Sequence, residues 1–338
     1  MTILRLLFSL CGFLQTMRHG MPPVHTAGFP LLLSAPAVLL SAPAVLLPQE
    51  AAAQRAAPGL PLADALILGF VEGATEYLPV SSTGHLLIVQ HLLGHSGDHA
   101  QAQAADSLAI CIQGGAILAV LLLYFDRIRQ MLQGLAGRSE EGRRLLINLV
   151  VAFAPAAVLG LLLRDTIQHF LFGILPVAAA LIAGGVLILL HPEPKQNAGN
   201  PGQIKPQGQN DLKDLRWTQA LFIGLMQCVA MWPGFSRSLA TILGCRWTGM
   251  KLGSAVEFSF LLGLVTLSAA TAWETLKGGR IMLEQYGVLS PLLALAAAFF
   301  AAAISVRFMV TSLGRFGLRP FGYYRIALGI VCLLWLKA

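Results

Sequence analysis

Charge is what this sequence has least of. Only 12% of its 338 residues are Asp, Glu, Lys or Arg, about half the roughly 25% carried by a soluble globular domain. So small a supply of solvated side chains excludes an ordinary water-soluble surface. Paired cysteines are missing too. Cys11, Cys111, Cys228, Cys245 and Cys332 are scattered without a C-x-x-C pair. That excludes a zinc-ribbon or thiol-redox reading, and in apolar surroundings such cysteines serve as small hydrophobes. Acidic residues are scarcer than basic ones, 16 against 23, for a net charge of +7. The basic residues fall in short loops between apolar runs, the pattern of cytoplasmic loops on a membrane protein and not of a nucleic-acid surface.

What the chain has in quantity is oil, with 56% hydrophobic residues. Six runs, roughly 107–124, 145–163, 174–190, 255–273, 289–310 and 322–337, are long enough to cross a bilayer, which takes about 20 residues of helix. The segment carrying Arg127, Arg129, Arg138, Arg143 and Arg144 is placed in the cytoplasm by its charge. Two spans later, Lys195, Lys205, Lys213 and Arg216 return the chain to the same side. The loop around 164–172 between them is short and nearly free of positive charge, as an outer loop should be.

Residues 1–60 read differently from the rest. They hold a tandem heptad, LLSAPAV at 32–38 and again at 39–45, with Pro36 and Pro43 in register. Two prolines seven apart argue against a regular helix. The basic start and the AAAQ at 51–54 suggest a signal or anchor segment, with an over-called start codon as an equal reading. The working body is expected to begin near Pro61. A Pro/Gly/Asn/Gln-rich linker, 191–215, divides it into halves of about 61–190 and 216–338.

The two halves repeat a theme. LGFVEGATEYLPVSSTG in the first and IGLMQCVAMWPGFSRSLAT in the second each run apolar, meet Pro and Gly, and turn polar. Gly69 aligns with Gly224 and Pro79 with Pro233 if a single-residue gap is allowed. Matching interrupted segments point to a site at the bilayer midplane built from internal repeats.

The polar residues at these breaks suggest chemistry. Glu72 and Glu76 are spaced to share one helix face. With Arg237 they are three charges, each costing about 2.5–3.5 kcal/mol at the centre of a membrane helix. They must face water, one another or a ligand. Pro79 and Gly84 bracket Ser81, Ser82 and Thr83, where freed N–H groups before a helix start would form an anion nest. His85 follows one turn later and suits an acid, base or nucleophile. Beyond Pro233 and Gly234, Arg237 offers a fork for phosphate oxygens, flanked by Ser236 and Ser238. GFSRS is not a nucleophile elbow, because Ser238 occupies the second glycine position. Two carboxylates would repel a phosphate that Arg237 attracts. A divalent cation bridging the two removes the conflict.

EGATEYLPVSSTGH and WPGFSRSLAT resemble the two signature motifs of the bacterial undecaprenyl-diphosphate phosphatases, the bacitracin-resistance family. The similarity extends through CIQGGAILAV, PAAVLGLLLRDTI and EFSFLLG, over roughly 61–338. The resemblance implies an all-α polytopic membrane protein of interlocking inverted-topology repeats with re-entrant helix pairs. It implies hydrolysis of undecaprenyl diphosphate to undecaprenyl phosphate and inorganic phosphate, recycling the carrier of peptidoglycan synthesis and conferring bacitracin resistance. It further implies an inner-membrane location, a site open to the outer, periplasmic face, and dependence on Mg²⁺ or Ca²⁺. Carried over by position, Glu72, Glu76, Ser82, His85 and Arg237 are the catalytic residues, with Glu72 and Glu76 on the metal. Ser81, Thr83, Ser236, Arg237, Ser238 and Thr241 hold phosphate, and Gln113, Gln227 and Glu257 stand behind them. The attacking group stays open between Ser82, His85 and water, and a homodimer stays open as an arrangement. The rival reading is a prenyl-phosphate transporter or flippase, since broken helices in inverted repeats also serve transport. Acid-phosphatase-like lipid phosphatases fit less well, because no His with an Asp partner follows Ser236–Arg237.

Overall fold

The computed structural model describes residues 59–94, 99–191 and 210–335. Almost all of the N-terminal segment, with its tandem heptad, and most of the linker, with Lys195 and Lys205, lie outside the described residues. Eleven α-helices carry the described chain: α1 (Leu62–Glu76), α2 (Ser82–Leu92), α3 (His99–Leu123), α4 (Phe125–Leu135), α5 (Glu140–Leu171), α6 (Ile174–Leu190), α7 (Trp217–Val229), α8 (Arg237–Trp247), α9 (Leu252–Tyr286), α10 (Leu289–Phe316) and α11 (Arg319–Trp335). Among the described residues there is no strand, only an isolated bridge between Asn210 and Met250.

Three helical stretches, Glu140–Arg164, Leu252–Tyr286 and Leu289–Leu313, are long and apolar enough to cross a bilayer. Ser107–Leu123 and Phe125–Leu135 make a fourth across a 77° bend. Four of the six runs anticipated from sequence fall within these. The run at 174–190 forms a 17-residue helix, about 25 Å long at 1.5 Å per residue and short of a hydrocarbon core of about 30 Å. The run at 322–337 lies, as far as Trp335, in α11, also 17 residues long and interrupted by Arg325. Large side chains such as Phe70, Leu122, Leu161, Leu162, Phe300 and Ile304 are exposed, the surface that faces acyl chains. This is a multi-pass membrane protein.

The halves exchange helices. α1 of the first half packs most extensively on α10 of the second, while α7 of the second packs on α5 of the first. Each contact is made by a glycine pressed against backbone. A Cβ on Gly69 would collide with the Ala294 carbonyl, and one on Gly224 with the Ala152 carbonyl. α3 packs along α9 and α6 along α11, so each half is completed by the other.

The structure corrects the alignment of the two breaks. Leu62 and Trp217 open α1 and α7, Ser82 and Arg237 open α2 and α8, and all these pairs, like Gly69 and Gly224, lie 155 positions apart. No gap is needed. Pro233 stands opposite Leu78, and Pro79 opposite Gly234. The prolines are out of step because α7 unwinds at Val229, two residues before the position matching the end of α1. The second turn is closed differently, by Gly234 at φ +96°, pressed against the Val177 carbonyl where a side chain would not fit.

Candidate functional site

Two serines hold the same strained position, one at each break. Ser81 has φ 73° and Ser236 φ 80°, the two non-glycine residues with positive φ among the described residues. Such a conformation costs about 1–3 kcal/mol and persists only where its surroundings enforce it. Each serine caps the helix that follows. Ser81 Oγ accepts the Gly84 N–H at 3.3 Å, and Ser236 Oγ accepts the Leu239 N–H at 3.3 Å. The first N–H groups of α2 and α8 have no carbonyl to meet within their own helices. Both helix starts lie where the polar residues gather.

A chain of charge runs from one break to the other. Ser82 Oγ donates to Glu76 Oε2 at 2.5 Å. The other oxygen, Glu76 Oε1, receives Arg237 Nη2 at 3.1 Å. Arg237 Nη1 donates to the Ser259 carbonyl at 3.1 Å, and its guanidinium carbon lies 5.5 Å from the centre of the Tyr77 ring. Its Nε has no hydrogen-bond partner. A Cβ on Gly263 of α9 would enter the Arg237 guanidinium, so this glycine forms the floor on which the cation rests.

Glu72 is wholly buried beside Glu76, Gln113 and Arg237, yet neither of its oxygens makes a well-formed hydrogen bond. A buried carboxylate left in this state calls for a proton or a cation. Among the described residues no group of three or more His, Cys, Asp or Glu side chains is placed to hold a metal ion by itself. Two carboxylates without a closed protein cage are the donor set that a Mg²⁺-like ion uses when substrate phosphate completes its shell. The residues therefore fit a divalent cation, with Glu72 its principal ligand. Glu76 already accepts one hydrogen bond on each oxygen, and the second lone pair of each stays open to the same ion.

The second break ties itself to the first. Ser238 Oγ donates to the Leu78 carbonyl at 2.8 Å, which leaves Ser236 as the donor in the 3.0 Å contact between the two serine hydroxyls. Thr241 Oγ1 bonds back to the Arg237 carbonyl at 2.9 Å and meets Ser259 Oγ at 2.6 Å, so it links α8 to α9. Thr83 is half-buried in the first turn of α2.

Gln227, Glu257 and His85 have their hydrogen-bond partners outside the Glu72–Glu76–Arg237 group. Gln227 occupies the position matching Glu72, and its Oε1 accepts Thr266 Oγ1 at 3.3 Å. Glu257 pairs with Arg127 at 2.5 Å and lines a cavity of about 380 Å³ with Arg144, Asp211 and Lys213. Its helix was identified correctly, but its place along that helix puts it with the basic loop. His85 is held between Ser81 and Tyr324, away from both carboxylates: Nδ1 lies 2.6 Å from the Ser81 carbonyl and Nε2 2.6 Å from the Tyr324 hydroxyl.

Arg325 was missed by the sequence reading. Its side chain is completely buried and donates to three carbonyls: Nη1 to Pro79 at 3.2 Å, Nη2 to Ala180 at 3.1 Å and to Gly234 at 2.9 Å. It thus fastens both breaks to α6. The signal was present, a cation standing in the apolar run at 322–337 away from its basic end at Lys337.

Residues 65–331 match the bacitracin resistance protein BacA family. The chain belongs to that family. It is 43% identical to the undecaprenyl-diphosphatase of Sorangium cellulosum over 275 residues, 81% of this chain and 85% of that relative. It is 39% identical to the undecaprenyl-diphosphatase of Nitrosomonas europaea over 274 residues, 81% of this chain and 94% of the relative. The undecaprenyl-diphosphatase of Methylococcus capsulatus is 40% identical over 274 residues, 80% and 93% of the two chains. Both BacA-like motifs, and every residue of the charge chain described above, lie inside the matched region.

Proposed function

We propose that this protein is an undecaprenyl-diphosphate phosphatase of the bacterial inner membrane. It hydrolyses its substrate to undecaprenyl phosphate and inorganic phosphate, returns the lipid carrier to peptidoglycan synthesis, and so confers bacitracin resistance. The observation that carries the reading is the serine hydroxyl seated on a buried glutamate that also holds an arginine. A flippase would use the arginine and the broken helices, but transport has no need of an activated hydroxyl.

In this reading the prenyl tail lies along the apolar helices and the diphosphate enters between the breaks from the outer face, opposite the basic cytoplasmic loop. Arg237 turns its unpartnered Nε and part of its fork to the terminal phosphate, helped by the N–H groups at the starts of α2 and α8. Ser82 Oγ attacks the terminal phosphorus while its proton passes to Glu76. The bond to the bridging oxygen breaks, and undecaprenyl phosphate leaves with the electron pair. Water then cleaves the phosphoserine, Glu76 returns the proton to Ser82, and inorganic phosphate departs. A Mg²⁺ or Ca²⁺ ion held chiefly by Glu72, when bound, neutralises phosphate charge against the carboxylates. Phosphoryl transfer depends mostly on such positioning and charge neutralisation.

The test is phosphate release from a long-chain prenyl diphosphate by purified protein in detergent, with no membrane gradient. Glu76→Gln should lower turnover about 10²–10⁴-fold, the range for a missing general base. Chelation should abolish release and added Mg²⁺ or Ca²⁺ restore it. Near-normal turnover by Glu76→Gln would sink the serine mechanism, and indifference to chelation would sink the metal.

A further inference from the structure

We infer that Tyr324 is a positioning residue, acting through His85 on the backbone at Ser81 and thereby holding the Ser82 hydroxyl on Glu76. A carbonyl oxygen can only accept, so the 2.6 Å contact between His85 Nδ1 and the Ser81 carbonyl places a proton on Nδ1. Nε2 of the neutral ring is then an acceptor, and the Tyr324 hydroxyl donates to it at 2.6 Å. The two rings also stack, with centroids 5.7 Å apart and planes 8° from parallel. Tyr324 therefore fixes both the tautomer and the plane of His85.

The carbonyl that His85 grips belongs to Ser81, which stands at φ 73° immediately before the reacting serine. The next residue along α11, Arg325, grips the Pro79 carbonyl. Tyr324 and Arg325 thus clasp one strained turn at two points, and the peptide between Ser81 and Ser82 is oriented from outside its own helix. The hydrogen bond from Ser82 to Glu76 depends on that orientation. With both ring nitrogens occupied, His85 has no lone pair to offer phosphorus while the clasp is closed.

This inference rests on Ser82 as the attacking group, and its test separates the two. Tyr324→Phe keeps the ring and the stack and removes only the donor. In the phosphate-release assay its kcat should fall about tenfold while KM stays within about twofold. That factor matches the loss of one hydrogen bond of ordinary strength. Adding Tyr324→Phe to His85→Gln should cause no further loss, because both changes break one relay. Unfolding temperatures, measured alongside, should match wild type for Tyr324→Phe. Wild-type kcat in Tyr324→Phe, a KM effect alone, or additive losses in the double variant would overturn the inference. So would an acid-labile, base-stable phosphoenzyme that vanishes in His85→Gln, since that would make His85 the nucleophile. If Glu76→Gln is inactive while Tyr324→Phe is normal, only this inference falls. If Glu76→Gln is fully active, the serine mechanism falls with it.

Discussion

The two breaks in the membrane helices are one backbone solution carrying opposite side chains. Both unwind a short helix, force a serine into the left-handed region and restart an eleven-residue helix. At matching positions the first break has Glu72 where the second has Gln227, Glu76 where it has Met231, Ser82 where it has Arg237, and His85 where it has Ala240. The first carries carboxylates and a hydroxyl, the second a cation. A duplicated scaffold has thus been divided by charge. Neither break could bind a diphosphate and attack it alone, because a lone acidic break repels phosphate and a lone basic one has nothing to activate a hydroxyl.

The comparison is broken most severely at its arginines. Arg237→Lys should lower phosphate release at least 10²-fold, the loss that follows removal of one preorganised donor, while the unfolding temperature stays within a few degrees. Arg325→Lys should act on both. A compact ammonium cannot reach the Pro79, Ala180 and Gly234 carbonyls together, and each buried acceptor left bare costs about 1–3 kcal/mol. Turnover and unfolding temperature should fall in parallel, measured by the same assay and by thermal unfolding in detergent. Equal behaviour of the two variants would mean that the cations do not have separate tasks.

A smaller effect is expected at the floor beneath Arg237. Gly263→Ala places a methyl group in the guanidinium, and should raise KM and lower kcat several-fold by tilting the fork. Gly253→Ala, in the same helix with open space around it, should be silent. The smallest change compares the breaks directly. Ser81→Gly and Ser236→Gly each lose a cap, worth a few tenths of a kcal/mol relative to glycine, but relieve a strained φ. Both should leave thermal stability unchanged or slightly raised. Ser81→Gly alone should cost activity, because its carbonyl belongs to the turn that precedes Ser82. Destabilisation by both would show that the caps outweigh the strain.

Much of this could be read from the amino-acid order. Apolar runs mark the membrane helices because the bilayer demands length and hydropathy. EGATEYLPVSSTGH and PGFSRSLAT mark the site because charges in such a chain need a reason. What could not be read was tertiary. The prolines were matched because they are the conspicuous letters, whereas equivalence lies in the helix starts, and the unequal unwinding of α1 and α7 offsets one proline by a residue. Glu257 lay on an expected helix, but that Arg127 of α4 reaches it across 130 positions is set by the fold. His85 looked reactive beside Ser and Glu in the sequence, yet its partner comes from α11, 239 positions away. Arg325 was hidden for the same reason: its three carbonyl partners lie in three separate segments.

The exchange of helices between the halves also sets the order of assembly. The first break leaves the ribosome early, but the surface on which α1 lies is α10, and the residues that clasp its turn are in α11, the last helix described. The bed of α1 and the clasp on its turn are thus supplied by helices that begin more than 200 residues later. Closing so long a loop is entropically costly and slow relative to local contacts. Glu72 and Glu76 must wait in the membrane, or at its edge, until α10 and α11 have been made. The enzyme is therefore built as a latch, and a nascent chain stalled before residue 319 holds both signature motifs yet lacks the Tyr324 and Arg325 contacts that clasp the first turn.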